Sequence, residues 1–255
     1  MNDNPLGCPA EEWKARQDLA ACYRIFHLMG WTELIYNHIS LRVPGRGDGE
    51  DKQFLINPFG LHYSEVKASN LVKVDIAGRV LTDGPYRFNA AGFAPHAALH
   101  AHQPNAHCVM HTHTTAGMAV AGSARGLSIS NFYAAQLGGR VAYHDFEGVT
   151  TDLAERPRLV ASIGDRPILI LRNHGLLVAT GSVAETFALM FTLEKACEVQ
   201  VASDGMAGPN LPIGAEVLAA VPRQNAAIEK ASTQPGRMVF DATLRRAGIR
   251  YQDLA

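Results

Sequence analysis

Apolar residues recur at helical spacing over residues 10–30, where Trp13, Leu19, Cys22, Ile25, Phe26 and Met29 share one face and Gly30 supplies a stop. From Leu34 to Val43 the period changes to two, the alternation of a strand, with Asn37, His38 and Ser40 set among the apolar positions. The polar run Arg46–Asp51 reads as a hairpin turn. A short strand at Phe54–Asn57 is broken by Pro58 and Gly60, and residues 71–75 and 78–82 form a hairpin around Ile76-Ala77-Gly78. Pro85 to Pro95 carries no period, and His96–His102 suits a turn or two of helix.

The pattern then predicts a strand at 107–113, a helix opening at 114–121, a turn at Gly138-Gly139, a strand at 140–144 and a helix over Leu153–Ile163. Strands at 167–172 and 176–179 flank a turn at Asn173-His174-Gly175. Ser182 and Glu185 have the spacing of a capping box, which starts a long helix through about residue 202. Beyond it, Pro209, Pro212, Pro222 and Pro235 separate short helical pieces. Residues 1–204 are therefore expected to form one domain, and 205–255 an extension packed on that domain or on a neighbouring subunit.

The chemistry concentrates at two strand ends. Period two puts His111 and His113 on one face, where two imidazoles can chelate one transition metal. Zinc takes three or four protein ligands, and the run Ile168–Asn173 brings a third histidine, His174, to the end of another apolar strand. Gly175 follows, as suits a tight turn where backbone approaches a ligand. In a chain with eleven histidines an i, i+2 pair also arises by chance, and a histidine at a strand end is more often a hydrogen-bonded turn residue than a ligand. Spacing alone leaves both readings open. The metal reading is a His111/His113/His174 centre with one open position, holding zinc first and iron or manganese as alternatives.

Composition narrows the classes. A chain of 255 residues, 47% of them hydrophobic, can bury a core of single-domain size. A formal net charge of −1 with no basic block argues against nucleic acid or an anionic membrane surface as partner. No apolar run approaches the ~20 residues of a membrane helix, and the polar, acidic start is no signal peptide. Cys8, Cys22, Cys108 and Cys197 are scattered, which points to reduced thiols in a cytoplasmic protein.

Several motifs also occur in a telling order: Tyr36-Asn37-His38-Ile39-Ser40-Leu41-Arg42, Asn57-Pro58-Phe59-Gly60-Leu61, Ala91-Gly92-Phe93, His111-Thr112-His113 and Leu171-Arg172-Asn173-His174-Gly175. From about Trp13 to about Ala202 the chain resembles the class II aldolase/adducin family, and these motifs most resemble its adducin-head branch. The resemblance implies an α/β fold of three layers, α/β/α, around a central, mainly antiparallel sheet. It implies three histidines holding zinc or another divalent metal, a small-molecule substrate, and a homo-oligomer, usually a tetramer, with sites near subunit interfaces. The tail lies outside the resemblance.

The chain also departs from the family's sugar-phosphate aldolases. They carry a glutamate, within a Ser-Ser-Glu type motif, where this chain has Ala90-Ala91-Gly92. Phe59 stands in place of a small hydroxyl residue, and His38 in place of an asparagine of the phosphate pocket. The phosphate-binding side chains and the usual acid/base are thus gone. His38, Asn57 and Gly60 are expected to bind substrate, with Phe59 as added apolar surface and positive charge from an inward-facing His38 rather than from Arg42, which better suits a structural pair at a strand end.

Three residues compete for the missing proton carrier. His96 lies shortly after Gly92 and has an ordinary pKa near neutrality. Tyr133 stands close to where the family sends a tyrosine into the neighbouring subunit's site, although direct alignment puts Phe132 there. Glu147 is the third. Against these roles, His96 can cap a helix, Tyr133 can pack, and Glu147 can sit in a solvated loop. His100, His102 and His107 are expected on exposed surface, and His27, His62 and His144 have no evident partner. The leading function is a metal-dependent lyase, aldolase or decarboxylase, acting through an enolate on a small, non-phosphorylated carbonyl or carboxylate compound. The alternatives are a catalytically silent, adducin-head-like scaffold and a metal-dependent epimerase or oxygenase on the same fold.

Overall fold

A computed structural model describes residues 4–45, 51–148, 153–230 and 233–255. The elements in chain order are α1 (Ala10–Met29), β1 (His38–Arg42), β2 (Gln53–Ile56), β3 (Val72–Asp75), α2 (Ala90–His102), β4 (Cys108–Thr112), α3 (Thr115–Gly122) and α4 (Phe132–Gln136). They continue with β5 (Val141–His144), α5 (Arg156–Ile163), β6 (Ile168–Leu171), β7 (Gly175–Thr180), α6 (Val183–Asp204), α7 (Ala215–Lys230) and α8 (Arg237–Ala247).

The strands make one seven-stranded sheet in the order β3-β2-β1-β4-β7-β6-β5. Every pairing is antiparallel except β5 with β6, so the mainly antiparallel sheet expected from the sequence is present. Central β7 is buried at all six positions, as a strand covered on both faces must be. Alternation sorts the side chains between two layers. Ile39, Leu41, Cys108, Met110, Leu176 and Val178 join one core with α1, α6 and α8. On the other face Val109, Leu169, Leu177 and Ala179 pack with Leu99 of α2 and with Leu159 and Ile163 of α5. Three layers, α/β/α, follow from that alternation.

The register decides where the chemistry falls. His38 of β1 pairs with His111 of β4, which pairs in turn with Leu177 of β7. The start of β1, the end of β4 and the start of β7 therefore meet at one edge of the sheet. His38 and Ser40 point to the α2 layer because Ile39 and Leu41 point to the other.

Several boundaries differ from those read in the sequence. The strand expected from Leu34 starts only at His38, because residues 33–36 form a turn with Glu33 and Leu34 at φ +36° and +62°. The Asn37 side-chain amide closes that turn by donating to Trp31 O at 3.1 Å. Residues 85–89 are irregular as expected, but residues 90–95 form the first part of α2, whose N-cap Asn89 accepts a hydrogen bond from Gly92 N at 3.3 Å. Pro95 costs the helix only its own bond back to Ala91. Helix α4 has no counterpart among the elements expected from the sequence; its N-cap Asn131 accepts from Ala134 N at 2.9 Å. At α6 the Ser182 cap forms, but the Glu185 carboxylate takes Gly181 N rather than the cap's own N–H. Most of the expected 46–51 turn lies outside the described residues.

The tail forms longer helices than its prolines suggest, and α7 runs through Pro222. Phe240, Leu244 and Leu254 enter the same core as α1 and α6. Gly236, at φ +73°, brings the start of α8 so near Ala184 that a Cβ there would lie within 3.0 Å of Ala184 O.

Candidate metal centre

Strand β4 carries His111 and brings His113 just past its end, and the turn between β6 and β7 delivers His174. Asn173 enters that turn at φ +53°. A Cβ at Gly175 would fall within 3.0 Å of Thr112 O, so only glycine lets β7 pass close enough to bring His174 beside the β4 pair. The His111 Nε2 atom lies 2.7 Å from His113 Nε2 and 3.3 Å from His174 Nε2. One nitrogen from each ring lies within 4.8 Å of the others.

The protonation states suit a cation. His111 Nδ1 donates to Leu176 O at 2.8 Å, which leaves Nε2 with a bare lone pair turned toward its partners. Burial, reinforced by the neighbouring imidazoles, pushes His111 well below the usual histidine range. Burial and His174 bring His113 down to about 4, and burial lowers His174. Three neutral nitrogens facing one point are the donor set of a divalent transition metal, whose ~2.0–2.1 Å bonds to histidine space the nitrogens roughly 3.3 Å apart. The residues fit such an ion.

The cluster forms the floor of a cavity of about 480 Å³. Its rim carries Tyr36, Met118 and Phe146, all partly exposed, and one wall is the first turn of α2 with Ala91 and Gly92. Among the described lining residues there is no lysine or arginine. Arg42 lines a different hollow of about 800 Å³ at the opposite edge of the sheet, which none of the three histidines reaches.

His38 lines the cavity, but it brings no positive charge. It is 5% exposed, and burial, aided by His113 and His174, drives it down to about 3. The expectation of a cationic His38 fails for that reason. Gly92 faces it so closely that a Cβ would lie within 3.0 Å of His38 Cδ2 and Nε2. His96 is fully buried behind His38, with Nε2 2.8 Å from His38 Nδ1, and does not line the cavity. His100, expected on the surface, is buried and stacks on Phe54 at 4.4 Å, whereas His102 and His107 are exposed.

The remaining candidates lie elsewhere. Asn57 is buried and accepts from the Tyr23 hydroxyl at 3.0 Å, while Gly60 and Phe59 are exposed; none of the three lines the cavity. The apolar contribution expected of Phe59 is therefore missing, since the loop turns it outward. Tyr133 packs half-buried against the main core, whereas Phe132 beside it is 74% exposed. Glu147 is exposed and pairs with Arg158, which holds its carboxyl below the ordinary range. His144 bonds Ser162 at 2.9 Å, and His27 meets His62 edge-on at 4.9 Å.

One group escaped the sequence reading. Glu194 of α6 is buried beneath the metal strand, where it accepts hydrogen bonds from Thr112 and Thr114, each at 2.6 Å. These threonines alternate with His111 and His113, so the carboxylate braces the strand end from the opposite layer. The signal was an acid inside the apolar stripe Leu189, Met190, Leu193, Ala196, Cys197.

A helix-flanked mixed sheet with three histidines gathered at the ends of two adjacent strands, a set that could hold a metal ion, makes this an α/β protein. Residues 17–201 match the profile of the class II aldolase and adducin N-terminal domain, and the chain belongs to that family. A Pseudomonas aeruginosa protein with the provisional name of class 2 aldolase is 44% identical over 238 residues, covering 93% of this chain and 90% of its own. The crystal structure of an aldolase II superfamily protein from Pseudomonas syringae superposes with a TM-score of 0.86 at 41% identity, over 94% of both chains. An L-fuculose 1-phosphate aldolase from Glaciozyma antarctica does so at 0.79 and 26% identity, over 94% of this chain and 92% of that one.

Proposed function

We propose that the chain is a metal-dependent lyase, of aldolase or decarboxylase type, acting through an enolate on a small, non-phosphorylated carbonyl compound. The observation that carries this reading is the convergence of His111, His113 and His174 on the floor of an accessible cavity. A divalent metal held there, zinc first and iron or manganese as alternatives, would supply Lewis-acid stabilisation of the enolate oxygen.

The chain's own residues supply orientation and selection. Leu176 O fixes the His111 ring, and Glu194 fixes the threonines on either side of His113. Tyr36, Met118 and Phe146 give the entrance an apolar rim. A phosphate dianion would find no cationic side chain among the described lining residues, and burying such a charge without paired donors is strongly unfavourable.

Tyr133, in the first turn of α4, is proposed as the proton carrier, presented to the site of a neighbouring copy in a homotetramer. The 74% exposure of Phe132 at the start of α4 supports an intersubunit contact there. The adducin-like scaffold is the weaker reading, because it gives no reason to keep three neutral histidines aimed at one point.

Elemental analysis of protein purified without added metal, followed by a screen for carbon–carbon cleavage of hydroxycarbonyl and 2-oxo compounds, tests the proposal. About one divalent metal per chain and cleavage that disappears in His111→Ala are expected. Stoichiometric metal with no cleavage of either compound class would favour the scaffold.

A further inference from the structure

Behind the cavity wall runs a buried hydrogen-bonded chain that the metal reading does not use. It begins at Ala106 O, which lies 2.6 Å from His100 Nδ1. His100 Nε2 lies 2.7 Å from Ser40 Oγ, Ser40 Oγ lies 2.7 Å from His96 Nδ1, and His96 Nε2 lies 2.8 Å from His38 Nδ1. His96 and His100 lie one helical turn apart on α2, and Ser40 and His38 two residues apart on β1, so both elements present their partners in matching order. His38, Ser40, His96 and His100 are each at most 5% exposed.

With all three rings neutral, the carbonyl at one end of this chain fixes the proton positions along it. A carbonyl only accepts, so His100 Nδ1 carries the proton. None of the three histidines bonds a carboxylate among the described residues, and an imidazolium there would be a buried, unpaired charge. All three are neutral, so His100 Nε2 accepts and Ser40 must donate to it. The serine has one hydrogen, so it accepts from His96 Nδ1–H. His96 Nε2 then accepts from His38 Nδ1–H. His38 Nε2 is left unprotonated at the wall of the cavity, and among the described residues it has no hydrogen-bond partner.

We infer that the Ala106–His100–Ser40–His96 chain fixes His38 as a hydrogen-bond acceptor facing the ligand, so that the site takes a compound presenting a hydroxyl or N–H group at that point. A carboxylate or phosphate oxygen offers only lone pairs to Nε2 and is rejected there. His38 is a specificity-determining residue, while Ser40, His96 and His100 are positioning residues that act through it. His96 thus reaches the site only by way of the ring in front of it. The ligand part of this inference rests on the metal reading above; the proton positions do not.

Two measurements separate them. Long-range ¹H–¹⁵N NMR correlation on histidine-labelled, metal-free protein reads each tautomer without metal or turnover. A pyrrole-type nitrogen at Nδ1 and a pyridine-type nitrogen at Nε2 are expected for His38, His96 and His100 alike. Ser40→Ala, which cuts the chain, should turn the single His38 form into a mixture. A wild-type His38 protonated at Nε2 would overturn the inference, whether or not the variant folds.

The ligand part is read by NMR titration of zinc-loaded protein with hydroxyacetone and methoxyacetone, which differ in the O–H donor. Hydroxyacetone is expected to bind roughly tenfold or more tightly, and the preference should vanish in His38→Ala. Equal affinities, or a preference unchanged in that variant, would remove the acceptor role. Failure to load zinc would sink the metal reading and leave the tautomers to decide this one.

Discussion

The imidazole of His38 occupies the space that a side chain at position 92 would need. A Cβ on Gly92 would sit within 3.0 Å of two His38 ring atoms, and the ring is held from behind by His96 at 2.8 Å. The two positions therefore depend on each other, and the vacant acid of the sugar-phosphate aldolases cannot simply be restored. Gly92→Glu alone is expected to destabilise the fold by about 1–3 kcal/mol, the usual cost of overpacking. His38→Ala should relieve most of that cost. A double-mutant cycle in urea unfolding reads the coupling directly, and additive effects would show that the ring yields freely.

At the histidine cluster, His111→Ala and His174→Ala should each abolish stoichiometric metal, because two remaining nitrogens fall short of the three or four ligands zinc takes. Added zinc should also raise the melting temperature of the wild type and not of either variant. At a free concentration a hundredfold above the dissociation constant the stabilisation is ~2.7 kcal/mol. Elemental analysis and calorimetry check both halves, and undiminished metal in both variants would remove the site.

What the sequence showed of this centre was its strand-borne part. Period two aligns His111 with His113 however the rest of the chain folds, and a glycine after His174 signals a tight approach. The partners of His38 were invisible because they depend on which face of α2 meets β1. With Pro85–Pro95 read as irregular, α2 had no face to assign, and His100 looked like surface. Glu194 was hidden for another reason: a carboxylate in an apolar stripe gains its meaning only from Thr112 and Thr114, eighty or so residues earlier. The antiparallel sheet and its layers were legible through the family motifs, whereas α4, only five residues long, has too few positions to show a period.

The tail gives a stability test of its own. Phe240 is fully buried and meets Phe187 of α6 edge-on at 5.8 Å. Phe240→Ala is expected to cost about 3–5 kcal/mol. Met238, two residues earlier and 84% exposed, should tolerate alanine within ~0.5 kcal/mol. Denaturant midpoints of the two variants settle whether residues 205–255 are held by their own domain; equal, small effects would mean that they are not.

Glu194 makes the pH dependence specific. Burial raises its carboxyl from an ordinary 4.5 to about 7, against the lowering effect of the Thr112 and Thr114 hydroxyls. Between those two values the folded state keeps a proton that the unfolded state has lost, so the contribution is full below about 4.5 and fades as pH rises through about 7. Its size is on the order of 3 kcal/mol. The neutral histidines act in the opposite sense. His38 and His113 are lowered to about 3 and about 4 from 6.5, so their contribution is present above 6.5 and is lost as pH falls toward those values. Wild-type stability mixes the two trends, which is why the difference between wild type and Glu194→Gln is the useful quantity. The glutamine keeps one acceptor for a threonine and has no proton to lose. In metal-free protein the variant should gain on the wild type steadily from about pH 4.5 to about pH 7 and hold a constant difference above it. Urea unfolding across that range checks the expectation, and a difference that does not change with pH would mean that Glu194 is ionised throughout.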